Sequence, residues 1–384
     1  MNKLSQCLIL IVGNCFCLVT HAQNTGQIIG QDTTNRVITT AVPFLTITPD
    51  ARAAGMGDVG VATSADANSS YWNAGKLAFI DKGYGGALSY TPWLAKIIND
   101  MKLVYLTGFY KINREQTVSA SMKYFDLGQI QFTDASGNPL NRFNPREVSF
   151  DVTYSRLLTD HLGIGGTLRY IYSNLTGSSS VGGVDASPAH SVAVDFGVFY
   201  TKPFESKNST LSLGASITNI GAKVSYVSAS TADFIPTNLR IGGAYKMELN
   251  PLNSLTFALD FNKLMVPSPP GGKSKSLLSG IFGSFTDAKG GLAEELSEIT
   301  ISSGIEYWYN NTFAGRLGYF FEDRNKGNRK YLTVGVGAKK DKFGFDVAYM
   351  VPTNGRESAL AETIRFTILY VFNAKPKEEE SVTD

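Results

Sequence analysis

The sequence predicts an all-β chain, a transmembrane antiparallel β-barrel of about fourteen strands with an N-terminal hatch segment in the lumen. Three observations lead there. From about residue 83 apolar and polar residues alternate with period two, the mark of strands with two unlike faces. The connections between those strands alternate long and short, as in outer-membrane barrels. The composition is rich in glycine (38) and in tyrosine and phenylalanine (18 and 23), while mean hydropathy is −0.05. Past the first segment no apolar run approaches the length of a transmembrane helix, which excludes a helical membrane protein.

The chain opens with a targeting signal over residues 1–22. Lys3 supplies positive charge, Leu8 to Val19 an apolar stretch, and Thr20-His21-Ala22 a small-residue cleavage site, which puts mature residue one at Gln23. Asn14 and Phe16 precede Cys15 and Cys17, so a lipoprotein signal does not fit. All three cysteines (Cys7, Cys15, Cys17) lie in this segment, and the mature chain has no thiol for a disulfide or a zinc site. A net charge of +2 with balanced signs argues against a nucleic-acid partner.

Strands are predicted near 83–90, 102–110, 116–125, 147–158, 161–172, 191–200, 210–218, 238–247, 254–262, 298–309, 311–321, 331–339, 343–350 and 362–372. In the segment from Glu147 to Ser155, Val148, Phe150, Val152 and Tyr154 face one way and Ser149, Asp151 and Thr153 the other. The mid-strand charges share the phase of glycine and serine: Asp151, Arg169, Asp195, Arg240, Asp260, Glu306, Arg316, Asp346 and Arg365, with Lys123. About fourteen strands enclose a lumen too wide for apolar side chains to fill. These ten residues are therefore expected to line a polar lumen, with aliphatic and aromatic side chains facing lipid. Tyr154, Tyr172, Tyr200 and Phe372, near strand ends, suit interfacial girdles. An even strand count puts both termini on the short-turn, periplasmic side. The organisation expected is a mobile N-terminus and hatch over 23–81, the barrel over 82–372, and a charged periplasmic tail over 373–384.

The segment before the barrel is dense in small residues, which suit either close backbone packing inside a lumen or an ordinary glycine-rich linker. It reads Thr48-Pro49-Asp50-Ala51-Arg52-Ala53-Ala54-Gly55-Met56-Gly57-Asp58, then Ser64-Ala65-Asp66 and Ser70-Tyr71-Trp72-Asn73-Ala74-Gly75. This stretch resembles the hatch of FadL-like outer-membrane barrels, although Ala74 directly follows Asn73 where that motif carries a proline. Together with Leu127-Gly128-Gln129-Ile130-Gln131-Phe132-Thr133-Asp134, Phe143-Asn144-Pro145-Arg146-Glu147 and Asp151-Val152-Thr153-Tyr154-Ser155-Arg156, it is more similar to the PorV (LptO) family of the type IX secretion system of Bacteroidetes. The resemblance marks Arg52, Gly55, Met56, Gly57, Asp66, Trp72 and Asn73 as the hatch motif. It implies a cargo carrier in the outer membrane, surrounded by its lipid. Its expected partners are the C-terminal signal domains of secreted proteins, the type IX translocon barrel and the surface sortase and attachment complex. A FadL-like importer of hydrophobic small molecules and a lipid A deacylase are the alternatives.

Catalytic chemistry is not evident. Gly271-Gly272-Lys273-Ser274 lacks the first glycine of a phosphate loop, because Pro267 stands there. Gly163-Ile164-Gly165 and Gly335-Val336-Gly337 read as strand residues facing a lumen. His161 falls in a short turn and His190 in a long loop, and no Ser–His pair with an orienting acid appears. Asp134 to Asn138 reads as a turn before a calcium loop. No enzyme activity, cofactor or metal is expected. The longest loop, 263–297, carries Leu277, Leu278, Ile281, Phe282 and Phe285, spaced to share one face of a short helix. Such a stripe must be covered by the protein's own loops or by a partner, so these five are the candidate contacts for the translocon barrel or cargo.

Overall fold

A computed structural model describes residues 37–94, 100–133, 136–177, 180–181, 184–228, 231–268, 275–353 and 363–372. The signal, Gln23 to Arg36, the glycine–lysine stretch 271–274 and the tail 373–384 lie outside them, as does part of the turn at Asp134.

Period-two alternation becomes fourteen long strands: β1 (Tyr84–Pro92), β2 (Lys102–Lys111), β3 (Gln116–Asp126), β6 (Arg146–Thr159), β7 (Leu162–Asn174), β10 (Ala189–Phe204), β11 (Ser209–Gly221), β12 (Asn238–Asn250), β13 (Asn253–Leu264), β14 (Ile299–Tyr309), β15 (Phe313–Phe321), β16 (Lys330–Lys340), β17 (Phe343–Pro352) and β18 (Ile364–Phe372). Each pairs antiparallel with its neighbours, and β1 pairs with β18 to close the barrel. The outward phase is apolar and exposed, with Phe150, Val152, Leu168, Phe196, Val336 and Ile368 all at least half exposed. No helix among the described residues is long and apolar enough to cross a membrane; the strands do so.

The loops are more ordered than the sequence predicts. The connection after β3 folds into a hairpin of β4 (Ile130–Thr133) and β5 (Pro139–Phe143), and the one after β7 contains β8 (Ser180–Val181) and β9 (Val184–Asp185). Short segments rich in turn residues give little periodicity to read. Between β10 and β11 the register shifts at Asp195, whose carboxylate accepts the N–H of Asn219 (2.6 Å), a residue at φ 60°. This bulge re-aims the wall around one of the lumenal charges.

The chain enters the barrel from the long-loop end. Val42, Phe44 and Leu45 pack against Leu103, Phe125, Ala189, Val224 and Ile235, all at or beyond that end of the strands, and the N–H of Ala41 donates to the carbonyl of Phe234. Residues 37–47 therefore lie at the long-loop end, while the N-terminus, expected on the periplasmic side, lies outside the described residues. Strand parity fixes only where β1 begins and β18 ends; it does not fix the route of the segment before β1, which here descends through the lumen.

Candidate functional site

The hatch runs from the long-loop mouth at residue 37 to Gly83, which donates to the carbonyl of Phe372 at the short-turn end. After a 3-10 turn at Pro43–Thr46, its first α-helical turn, Ala51–Ala54, is capped by Asp50, which accepts from Ala53 N (2.9 Å) and from the Trp72 indole (2.8 Å). A second turn, Ser69–Trp72, and a 3-10 segment, Ala74–Phe79, follow; Asn73 caps the latter by accepting from Gly75 N. Asn73 also donates to the carbonyls of Val61 (3.1 Å) and Val198 (2.9 Å), joining two parts of the hatch to β10.

Arg52 is the centre of the attachment. Its guanidinium spans Glu306 on β14 (2.8 and 2.9 Å) and Asp66 in the hatch (2.9 Å). Glu306 is shared with Arg316 on β15 (2.8 Å), which reaches Asp346 on β17 (2.7 Å). The result is a buried chain of alternating charge, Asp66–Arg52–Glu306–Arg316–Asp346. Charges taken out of water this far must be paired and hydrogen-bonded. A second set, Asp151–Arg169–Asp195, ties β6, β7 and β10 together at 2.7 and 2.9 Å. Asp260 accepts the N–H groups of Gly60 (2.7 Å) and Val61 (2.9 Å), and Arg240 stacks over Tyr71 and Trp72 while donating to the Tyr71 carbonyl.

Glycines let the hatch backbone touch the wall. A Cβ at Gly318 would sit 2.0 Å from Gly57 N and Met56 C, and one at Gly214 would sit 2.2 Å from the Val61 carbonyl oxygen. Gly57 itself adopts φ 72°, a conformation open to glycine at little cost. Gly165 and Gly335, in the two alternations that resemble dinucleotide fingerprints on paper, likewise receive Ala74 and Gly55.

All ten charged residues predicted for the polar phase are buried, Lys123 and Arg365 among them, and all seven hatch-motif residues lie within the lumen. Residues that sequence reasoning missed complete the attachment. Thr367 accepts from Ala51 N, Thr333 from Gly57 N, and Ser155 from Ala78 N. Lys76 donates to the Gly60 carbonyl (2.6 Å) and Thr63 (3.0 Å), while Lys123, already placed in the polar phase by the sequence, donates to the carbonyls of Leu45 and Ile47. Burial pushes the Asp50 carboxyl up, with Asp66 adding to it, and pushes the Lys76 ammonium down. Asp50 carried a readable signal, an aspartate directly before a helical Ala-Arg-Ala-Ala; the wall hydroxyls carried none. On the long-loop side of the hatch lies a cavity of about 360 Å³, whose lining includes Val37, Asp58, Trp72, Arg240, Glu322 and Tyr331.

The long loop between β13 and β14 forms two helices, Leu277–Gly283 and Leu292–Ser297. The five apolar residues predicted to share one face divide. Ile281 is 4% exposed, and Gly280 and Ser284 are buried beside it, with Phe234 and Pro267 against Gly280. Leu278 (62%) and Phe282 (71%) point away, Phe285 is 40% exposed and Leu277 is half-buried. The reason is that small residues, not the bulky ones, give the helix its close approach to the neighbouring loop. His161 and His190 sit at opposite ends of the wall, the first ring edge-on to Tyr200 and the second hydrogen-bonded to Tyr170 (2.6 Å). No group of potential metal ligands occurs among the described residues.

A family model described as type IX secretion system protein PorV matches residues 30–271. That range takes in the hatch and β1 to β13. No curated protein matches the chain. Among solved structures it is similar to the Pseudomonas putida toluene transporter TodX, 12% identical, covering 84% of this chain and 97% of that one, with a TM-score of 0.52. It is also similar to the monoaromatic hydrocarbon channel CymD, 12% identical over 85% and 98% of the two chains, with a TM-score of 0.50. At such identities the likeness is one of fold alone.

Proposed function

Because the chain belongs to the PorV family of the type IX secretion system, we propose that it is a non-enzymatic carrier. In this reading it binds the C-terminal signal domain of secreted cargo and passes it from the translocon barrel to the surface sortase and attachment complex. The family match carries the proposal. The lumen supports it: a hatch joined to β6, β10, β13, β14, β16 and β18 by buried hydrogen bonds and ion pairs leaves the loop rim as the surface for exchange with partners. Within that rim Leu278 and Phe282 are the contact candidates; Ile281 anchors the helix instead, while Leu277 and Phe285 flank it.

The test is affinity capture of the full-length protein from envelope in mild detergent, with co-purifying proteins identified. Cargo signal domains and the translocon barrel are expected, and both are expected to be lost with Leu278→Ser/Phe282→Ser. Normal surface attachment of cargo in a deletion strain would remove the reading. Import of a hydrophobic small molecule would take its place if a deletion strain lost uptake and kept secretion. An altered lipid A acyl pattern in the same strain would point to the deacylase.

A further inference from the structure

Lys263 stands where a charge is least expected. It continues the outward phase of β13 after Leu255, Phe257, Leu259 and Phe261, one step beyond the apolar belt. Yet it is 7% exposed, because the loop after β13 folds back over the outside of the wall. Its ammonium is held by Glu295 (3.0 Å) and Glu298 (2.5 Å), and Glu298 also binds Lys326 (2.8 Å) and the hydroxyl of Ser268 (2.6 Å). The helix Leu292–Ser297 is thereby pinned by its acidic face, Glu294 and Glu295, to lysines of the rim. Its other face carries Leu292, 75% exposed, and Leu296, 58% exposed.

Beneath this helix lies a groove of about 230 Å³. Its floor is the outward face of three strands, with Leu239 and Ile241 on β12, Phe261 on β13 and Ile299 on β14. Its roof is Phe285, Leu292 and Leu296. The lining is almost wholly apolar. The stem of Lys263 closes the upper end, so its ammonium reaches the polar rim while its methylenes stay in the groove, as a snorkelling lysine does at a membrane boundary.

We propose that the groove holds a hydrocarbon chain of an outer-leaflet lipid of the surrounding bilayer, with the helix Leu292–Ser297 lying in the interface above it. Continuity identifies the occupant. Ile241 (51% exposed) and Phe261 (43%) belong to the lipid-facing belt of the barrel and to the groove floor at once, so the groove is an extension of a surface that hydrocarbon already covers. A helix with paired acids on one side and bare leucines on the other matches an interfacial helix, whose apolar side sinks to the acyl boundary. In water the same leucines would expose apolar area at a cost of roughly 25 cal/mol per Å². The inference rests only on the barrel standing in a bilayer, so it survives or fails apart from the secretion reading.

The test uses the full-length protein in liposomes of a phospholipid that carries a photoreactive group along its acyl chain. After irradiation, labelled peptides are located by mass spectrometry. Label on Phe285 or on 292–296, besides the strand residues Ile241 and Phe261, is the expected result. A second measurement places a reporter by Leu296→Trp, with Arg324→Trp in a polar loop as the water-side control. In liposomes of chain-brominated phospholipid the Leu296→Trp reporter should lose most of its emission, while the control responds to acrylamide instead. Label confined to the strands, with Leu296→Trp quenched by acrylamide as fully as the control, would overturn the proposal and return this face to water or to a protein partner.

Discussion

The wall holds two of the segments outside the barrel strands, the hatch and the loop between β13 and β14, in opposite ways. The hatch sits inside, where apolar clusters such as Met56, Val59 and Val61 against Ala244 and Ala258 are joined by a dense set of polar contacts. Its N–H groups at Ala51, Gly57, Gly60, Val61 and Ala78 each find a side-chain acceptor on the wall, and its central charge, Arg52, is paired twice. The loop between β13 and β14 lies outside at the rim, is held by the Lys263–Glu295–Glu298 cluster, and turns leucine and phenylalanine outward. The difference follows from the surroundings: an enclosed polar group without a partner is costly, whereas at a membrane edge exposed apolar area is covered by lipid or protein. The hatch is tied to the wall from within, and the outer loop is the surface proposed for contact.

Breaking the ties of the hatch should have the largest effect. Arg52→Ala leaves Glu306 and Asp66 short of their shared cation, a loss of about 3–5 kcal/mol when a buried pair is broken from one side. The expected outcome is a lower unfolding temperature in detergent, together with faster hydrogen exchange over residues 50–75. Gly318→Val forces a side chain into the Met56–Gly57 backbone and should cost about 1–3 kcal/mol as overpacking. Protease sensitivity of the hatch in a barrel that still assembles would show it. An unchanged hatch would mean that the close approach at Gly318 is dispensable.

The loop should respond in the other sense. Lys263→Gln removes the ammonium from Glu295 and Glu298, and Glu298 keeps Lys326. Hydrogen exchange over 277–297 is expected to rise while the unfolding temperature of the barrel stays near that of the parent. A cooperative loss of the barrel would erase the distinction drawn between the two segments. The smallest effect on stability belongs to Leu278→Ser/Phe282→Ser, within about 0.5 kcal/mol because both side chains are exposed. Its readout is partner retention alone.

All fourteen strands were legible in the sequence, since alternation over ten residues is a strong local signal and each strand is governed by its own two faces. Composition showed only a stretch of small residues that suits either close packing or a linker; Arg52, Gly57 and Asp66 were marked as a hatch motif by the family resemblance alone. What Arg52 binds was not legible, because Glu306 lies 254 positions away and only barrel closure brings β14 to the hatch. The loop stripe was half legible. Its spacing placed a helix near residues 277–285, but Phe234, distant in sequence, selects Gly280 as the buried side.

The sequence by itself determined the barrel: the number of strands, which face of each meets lipid, and which end carries the long loops. These depend on periodicity and length, which act within a dozen residues. Only the tertiary structure decided how the inserts attach. It routed the N-terminal segment in through the long-loop mouth, matched hatch backbone to wall glycines, and folded the loop after β13 onto the outside so that Lys263 is covered. Each of these depends on groups far apart in the chain meeting in space with no room or partner to spare, and no local pattern encodes such a meeting.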